Sequence, residues 1–368
     1  MVRGFSILSV LCLHLMQSTA VKPPQNYWVE KFWFFISRNG TYGVFLFFVI
    51  SGFLITRMLA AVSPSLFRPR FKEFYIRRAG RILPLLVLTV AAGACMVYFF
   101  NAPTPGYYYC FRNPRASFDF SFWSSLATFS FNWYRILHEN ISPSLGLHWD
   151  VLWSLSIEEQ FYFFYPLILA WLGSEKRFLW FLTAAVVLAP LASWAAYRCH
   201  PHSFLIFMNS FTAFGSIALG ALLYFLTDRF GGFLGKREKI CGCFCFLGVL
   251  VSLVIYFGTS ILDSRDCVFG PLAMSAGLFF FLLGGIPLGL LESKRFWIFA
   301  LPGKVSYGAY LLHAGVLYFI SPFLFGKDAS LYFIVFIVVT TGISWLSYRF
   351  FEIPANRWIR RTFGVRSF

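Results

Sequence analysis

The chain has few charged residues: Asp, Glu, Lys and Arg make up 12% of its 368 positions, and only 15 residues are acidic. A soluble globular domain carries about 25% charged residues, so this deficit excludes an ordinary soluble protein. In their place stand 58% hydrophobic residues, including 49 phenylalanines. The composition therefore predicts an all-α polytopic membrane protein.

The sequence also lacks a clear metal site. Its eight cysteines include an alternating run from Cys241 to Cys245, but no histidine lies close to that run. Such cysteines usually act as small apolar packing residues, whereas zinc sites combine cysteine and histidine at characteristic spacings. We therefore expect no metal cofactor.

Basic residues outnumber acidic ones by 31 to 15, which gives a formal net charge of +16. A nucleic-acid-binding domain concentrates such charge on one face or along one helix. Here the Lys and Arg residues form short clusters between apolar runs, as topology signals do in membrane proteins. We expect membrane lipid around the chain and no nucleic-acid partner.

Ten apolar runs are long enough to cross a bilayer, which takes about 20 residues. They cover approximately residues 4–21, 41–62, 82–100, 152–173, 178–197, 205–226, 240–258, 269–291, 303–322 and 330–350. An eleventh run, 119–134, is shorter and contains several serines. Hydropathy alone does not decide whether this last run crosses the membrane.

The positions of the basic residues decide that question. Ten crossings from a cytoplasmic N-terminus place 22 of the 31 basic residues inside, whereas an eleventh crossing at 119–134 leaves at most 12 inside. We therefore predict about ten transmembrane helices with both termini cytoplasmic, and an interfacial or re-entrant 119–134 segment on the outer side. No repeat or appended soluble domain is apparent, so residues 1–368 form one domain, with an aromatic outer lid at about 101–151.

The first helix carries an unusual ionisable pair. His14 follows Arg3 by eleven positions, which places both on one helix face about 16 Å apart along the axis. An ionisable group near the bilayer midplane is costly and is commonly functional. His14 is therefore a candidate general base and Arg3 a candidate phosphate ligand. The alternatives are a hydrogen-bonded packing histidine and a topology arginine.

A second candidate cluster lies in the sequence WSLSIEEQFY, which starts at Trp153. Glu158 and Tyr162 are four residues apart and share one helix face, while Glu159 points about 100° away. We therefore expect one carboxylate, that of Glu158, to face a cavity, where it orients His14 or an acceptor hydroxyl. The alternative is that both glutamates are hydrated at the membrane surface.

Two further pieces lie near predicted cytoplasmic helix ends. The loop before the third span closes with Arg77, Arg78 and Arg81, which suit a phosphorylated cofactor and also act as a topology signal. Ser306 and Tyr307 begin the ninth span at the same side of the membrane. Both pieces therefore point to the cytoplasmic mouth of a site.

The last candidates come from the final two spans. His313 lies deeper in the ninth span than the residues that begin it. The tenth span ends in the sequence YRFFEIP, where we expect Glu352 to pair with Arg349 or another inner arginine, and Pro354 to end the helix.

In this order, the pieces resemble the bacterial integral-membrane acyltransferase 3 family, in its stand-alone form without a fused hydrolase-like domain. The likeness covers almost the whole chain and includes a second-helix signature, GVFLFFVISGFLIT, around Ser51 and Gly52. Two features depart from the family pattern. Phe45 stands where many relatives have aspartate, and only two residues precede Arg3.

The resemblance implies an enzyme of the bacterial cytoplasmic (inner) membrane that transfers an acyl group, usually acetyl, from cytoplasmic acyl-CoA to a hydroxyl of an extracytoplasmic glycan or glycolipid. It implies that His14 is catalytic and that Arg3 is associated with the acyl donor. The acceptor stays open among surface polysaccharide, lipopolysaccharide, peptidoglycan and secreted glycosides. The oligomeric state is also open, with a homodimer as one candidate.

The expected mechanism places acyl-CoA phosphates among the arginines and the thioester near His14, which removes the acceptor proton before direct transfer. A covalent acyl-histidine is the alternative. Glu158 is the second catalytic candidate, and Arg3, Arg77, Arg78, Arg81 and Tyr307 are the donor-binding candidates. The supporting candidates are Ser51, Gly52, Trp153, Tyr162, Ser306, His313 and Glu352.

Two other functions fit a chain of this kind. A transporter or flippase of lipid-linked saccharides also has many helices and buried ionisable groups, but we would expect pseudo-symmetric halves. A sensor or scaffold without catalysis would tolerate apolar residues at Arg3 and Glu158. Acyl-CoA binding or hydrolysis by the purified protein separates the enzyme from both.

Overall fold

The computed structural model describes residues 1–16, 31, 37–100, 119–138, 147–199, 204–261, 263, 265–292, 294–324 and 329–365. The secondary-structure elements named in these ranges are all helices. The first seven are α1 (Val2–Met16), α2 (Tyr42–Val62), α3 (Phe71–Phe100), α4 (Phe120–Ala127), α5 (Phe131–Leu137), α6 (Leu147–Asp150) and α7 (Leu152–Leu172). The others are α8 (Glu175–Cys199), α9 (Ser210–Leu234), α10 (Glu238–Gly258), α11 (Asp266–Gly285), α12 (Ala300–Lys304), α13 (Ser306–Leu324), α14 (Ala329–Ser347) and α15 (Ile353–Thr362).

Eight helices of the described residues are long and apolar enough to cross a membrane. The prediction of an all-α multi-pass protein is therefore confirmed. Two further predicted spans are present as helices: α1 has 15 residues and α7 has 21. Helix α7 carries two serines, two glutamates and a glutamine in its first half, as expected of a helix that faces other protein rather than lipid. The count of ten and the orientation of the termini stay predictions.

The 119–134 segment does not form one spanning helix. It folds into α4 and α5, which are separated by a sharp turn at Phe129, where φ is 53°. Asp119 caps α4 by accepting a hydrogen bond from the backbone N–H of Phe122. At the turn, the Nε2 amide of Gln160 on α7 donates to the Phe129 carbonyl over 2.6 Å. A side chain of α7 therefore satisfies the backbone at this turn, and the placement of the segment at the interface or within the membrane stays a prediction.

The described part of the proposed lid is an aromatic cluster. Trp149 is fully buried, and its ring packs against those of Phe122 and Trp123 with centroid separations of 5.3 Å and 6.1 Å. Residues 101–118 and 139–146 of the lid lie outside the described residues. The lid function itself stays a prediction.

Helices α2 and α9 cross in close contact at two glycines. A Cβ on Gly52 would overlap the Ile217 carbonyl, and a Cβ on Gly220 would overlap the Val49 carbonyl. Small residues at membrane helix crossings permit this approach of backbones. The structure therefore gives Gly52 a packing role and leaves its neighbour Ser51 to face the interior of the bundle.

The end of the last span differs from the prediction. The helical path continues from α14 through a π-helical segment at Tyr348–Glu352 into α15, and Pro354 lies in the first turn of α15. Proline is tolerated there because the first helical N–H groups need no intrahelical partner. The expectation that Pro354 ends the helix is therefore wrong.

Candidate active site

Helices α1, α2, α3, α7 and α13 surround a central cavity. Its volume is about 70 Å³ for water-sized molecules, which is enough for a few waters or one small organic group. Its polar lining residues are Arg3, Ser51, Arg78, Arg81, Ser154, Glu158, Tyr162, Ser306, Tyr307 and Tyr310. Five of the six sequence motifs, all except YRFFEIP, therefore contribute side chains to one cavity.

The cavity is strongly cationic. Arg3, Arg78 and Arg81 line it together with a single carboxylate, that of Glu158. Arg81 is exposed at the mouth, whereas Arg78 is 8% exposed and lies over the Tyr162 ring, with 4.2 Å from its guanidinium carbon to the ring centroid. The Nε atoms of Arg3 and Arg78 are buried without a hydrogen-bond partner. Such a set of donors is suited to an oxyanion ligand.

Glu158 is held by two hydroxyl groups. Ser51 Oγ donates to its Oε1 over 2.7 Å, and Tyr162 Oη donates to its Oε2 over 3.0 Å. The shared face of Glu158 and Tyr162 is therefore observed, and Glu159 does not line the cavity. These bonds fix the carboxylate against one wall, where it offsets part of the arginine charge.

Helix α13 forms the opposite wall through two tyrosines. Tyr307 Oη donates to the carbonyl of Ile82 on α3 over 2.6 Å. Tyr310 Oη donates to the carbonyl of Val151 over 3.0 Å and lies 2.8 Å from Ser154 Oγ. These contacts join α13 to α3 and to the start of α7.

His14 and His313 form a pair beyond Tyr310. His14 Nδ1 lies 2.8 Å from His313 Nε2. His313 is fully buried, and its Nδ1 lies 2.7 Å from the Tyr310 carbonyl and 3.1 Å from the Ala309 carbonyl. The pair thus connects α1 to α13 one turn away from the residues that line the cavity.

The same two helices carry both clusters. Helix α1 supplies Arg3 to the cavity and His14 to the histidine pair, while α13 supplies Tyr307 and His313 in the same way. Arg3 and His14 therefore share a face, as their spacing predicts. Glu158 bonds to Ser51 and Tyr162 and not to His14, so the expectation that Glu158 orients His14 by direct contact is not met.

Several predicted residues lie outside the cavity. Arg77 faces away and forms an ion pair with Glu73, with 2.6 Å between Nη2 and Oε1. Trp153 is buried between the rings of Phe48 and Phe207. Both residues therefore support the walls.

Among the described residues, Glu352 forms no ion pair with Arg349, whereas it interacts electrostatically with Arg81, one of the other arginines expected as partners. Glu352 accepts a 3.3 Å hydrogen bond from Ser347 Oγ, on the preceding turn. The π-helical segment places Glu352 beside Gly308, where a Cβ on the glycine would lie 3.0 Å from Oε1. This position brings Glu352 close to α13 rather than to Arg349.

Sequence reasoning missed three polar residues near the start of α7. His148 is buried and donates from Nε2 to the Thr89 carbonyl over 2.9 Å, close enough to His313 to interact electrostatically. Burial lowers the pKa of His148 to about 4. Arg135 is also buried and forms an ion pair with Asp150. The sequence could have indicated His148 and Asp150 by their position, since residues 147–150 directly precede the WSLSIEE motif.

Known proteins resemble this chain over almost its whole length. A family model described as an acyltransferase domain matches residues 1–349. The peptidoglycan O-acetyltransferase of Listeria monocytogenes is 25% identical over 379 residues, covering 96% of this chain and 55% of that protein. A putative peptidoglycan O-acetyltransferase of Bacillus subtilis is 26% identical over 410 residues, covering 100% and 55%. A putative O-acetyltransferase of Staphylococcus aureus is 27% identical over 370 residues, covering 96% and 56%.

The chain spans about half the length of these curated relatives. No solved structure matches it.

Proposed function

We propose that the chain, which belongs to the acyltransferase 3 family, is a membrane O-acyltransferase that moves an acetyl group from cytoplasmic acyl-CoA to a hydroxyl of an extracytoplasmic glycan. The observation that carries the proposal is the arrangement of the helical bundle. Three arginines and one carboxylate line a cavity, and a histidine pair lies one helical turn beyond it. Transporters of lipid-linked saccharides do not require this combination.

The donor end of the site is the arginine cluster. Acyl-CoA is a phosphate-rich anion, and the guanidinium groups of Arg3, Arg78 and Arg81 outnumber the single cavity carboxylate. The unpartnered Nε atoms of Arg3 and Arg78 supply donors for phosphate or thioester oxygens. Arg77 is left out of this set because Glu73 holds its guanidinium away from the cavity.

The cavity has room for the acyl group that we propose. Its volume of about 70 Å³ accommodates a short group such as acetyl. Tyr162 and Ser51 keep the Glu158 carboxylate in place. Glu158 then serves as a hydrogen-bond acceptor for the incoming hydroxyl or as a partner for the arginines.

The chemical step belongs to His14. It takes the proton of the acceptor hydroxyl, whose oxygen attacks the thioester carbonyl carbon. The carbon–sulfur bond breaks, and the proton on His14 passes to the departing thiolate. The products are an ester and free CoA, so that atoms and charges balance.

The names of the relatives support the choice of acceptor. Two of the proteins reported above are named as peptidoglycan O-acetyltransferases, one of them putatively. We extend that to a cell-envelope glycan for this chain, in a bacterial cytoplasmic membrane with the arginine mouth facing the cytosol. Glycolipid and lipopolysaccharide acceptors are the other members of the same chemical class.

Mass spectrometry of envelope glycans tests the proposal. Cells that carry the gene are compared with cells that lack it and with cells complemented by it. The expected result is an acetyl-sized mass increment on a glycan, lost on deletion and restored on complementation. Identical glycan spectra in all three strains would contradict the proposed function.

A further inference from the structure

We infer that His313 is a positioning residue that fixes the tautomer of His14, so that His14 Nε2 is the atom that removes the acceptor proton. The inference deepens the proposed function and rests on it. It follows from the hydrogen bonds of the pair taken one after another, beginning at the buried end.

His313 Nδ1 carries a hydrogen. Its two neighbours, the carbonyls of Tyr310 at 2.7 Å and Ala309 at 3.1 Å, can only accept hydrogen bonds. A lone pair at this nitrogen would face two carbonyl oxygens in a buried place, which is unfavourable. In the neutral ring, the other nitrogen of His313, Nε2, is therefore an acceptor.

The two rings are nearly parallel and meet nitrogen to nitrogen rather than face to face. Their planes differ by 4°, and their centroids are 4.9 Å apart, a separation that the 2.8 Å nitrogen–nitrogen contact and the two ring radii account for. Face-to-face stacking would bring the centroids closer for the same nitrogen contact. The Nε2 lone pair of His313 lies in the plane of its own ring and points toward His14 Nδ1, as a strong hydrogen bond requires.

His14 must therefore donate from Nδ1. A neutral imidazole has one N–H, so His14 Nε2 has the lone pair. Among the described residues, His14 makes one hydrogen bond, the one to His313. The free lone pair thus belongs to the half-buried ring, while the fully buried His313 has both nitrogens engaged.

This arrangement assigns the two histidines different roles. His14 Nε2 accepts the hydroxyl proton and later returns it to the thiolate. His14 Nδ1 donates to His313 throughout, so the positive charge of the intermediate imidazolium has an acceptor beside it. Phe45, which lies fully buried on α2, offers no polar group for this purpose.

Nitrogen NMR tests the tautomer directly. The protein is labelled with ¹⁵N-histidine and placed in lipid nanodiscs, and the His14 signals are assigned by comparison with His14→Gln. The expected spectrum shows a protonated Nδ1 and an unprotonated Nε2 for His14. A protonated Nε2 and unprotonated Nδ1 in the wild-type protein would overturn the inference.

Acyl transfer by two His313 variants supplies the second arm. His313→Leu removes the acceptor for His14 Nδ1–H, and we expect at least a 30-fold lower kcat, an unchanged KM for acyl-CoA and a mixture of His14 tautomers by NMR. His313→Gln places an amide oxygen near the position of Nε2, and we expect kcat within about 5-fold of wild type. His138→Gln is the matched control, since His138 packs on the Tyr134 ring away from the pair.

The outcomes separate the inference from the proposed function. Absence of acyl transfer by the folded wild-type protein contradicts the function. Normal kcat in His313→Leu, or failure of His313→Gln to recover any activity while both variants are folded, contradicts the positioning role and leaves the function standing.

Discussion

Ser51 Oγ donates a 2.7 Å hydrogen bond to Oε1 of Glu158, and this bond joins α2 to α7 at the wall of the cationic cavity. The two residues lie 107 positions apart in the chain. The bond holds the carboxylate in the cavity wall that it shares with three arginines. It also makes the second-helix signature and the WSLSIEE motif parts of one site.

Removing this hydroxyl tests the Glu158 wall. Ser51→Ala leaves a carboxylate oxygen without its donor, and a hydrogen bond to a charged group is worth about 1.5–3 kcal/mol. We expect acyl transfer to fall at least 10-fold in protein that still inserts and elutes as a single species. Wild-type rates in a folded Ser51→Ala protein would show that Glu158 needs no support from α2.

The arginines should differ in their effect on the donor. Arg78→Gln removes a buried guanidinium that also lies over Tyr162, so we expect the KM for acyl-CoA to rise at least 10-fold. Arg81→Gln should have a smaller effect that declines at high salt, because Arg81 is exposed. Arg57→Gln, an exposed arginine outside the cavity, is the control. The same KM for acyl-CoA in all three variants would contradict a donor site at the arginines.

The crossing of α2 and α9 should tolerate no added methyl group. Gly52→Ala and Gly220→Ala place a Cβ against a backbone carbonyl of the other helix, and overpacking of this kind costs about 1–3 kcal/mol. We expect lower thermal midpoints in detergent for both variants. Gly231→Ala is the matched control, since nothing lies within 4 Å of a Cβ there. Equal midpoints for the three variants would mean that the helices can separate freely.

Burial of His148 predicts acid sensitivity. Its pKa of about 4 lies below the ordinary histidine value of 6.5. Between these two pH values the unfolded chain binds more protons than the folded chain. The free energy of unfolding therefore falls as the pH is lowered. At pH 5 the loss relative to pH 7 is about 2 kcal/mol by linkage.

Thermal midpoints at pH 7 and pH 5 measure this loss. His148→Gln keeps a donor for the Thr89 carbonyl and does not titrate, so we expect a smaller difference between the two midpoints than in wild type. The same difference in both proteins would assign the acid sensitivity to other groups.

Much of the architecture can be predicted from the sequence because a bilayer permits few alternatives. Apolar runs predict the helices, and the positions of the basic residues predict that 119–134 does not cross the membrane. Helix periodicity also places Glu158 and Tyr162 on one face. The same periodicity could have separated Arg77, which pairs with Glu73 four residues earlier, from Arg78 and Arg81, which share the cavity face.

The rest depends on contacts between distant parts of the chain. His14 and His313 are 299 positions apart, and no local pattern reports that their rings meet. Glu352, which lies beside α13, is the last residue of a π-helical segment, and such a segment has no clear sequence signal. The crossing at Gly52 likewise requires knowledge of its partner on α9.

The most direct test of the account is acyl transfer by wild-type and His14→Ala protein in proteoliposomes. Acetyl-CoA is supplied on one side and an envelope glycan on the other. The account predicts acetylated glycan with wild type and at least a 100-fold lower rate with His14→Ala, at equal insertion and equal affinity for acetyl-CoA. A folded, inserted His14→Ala protein that transfers acetyl groups at the wild-type rate would contradict the central role of His14.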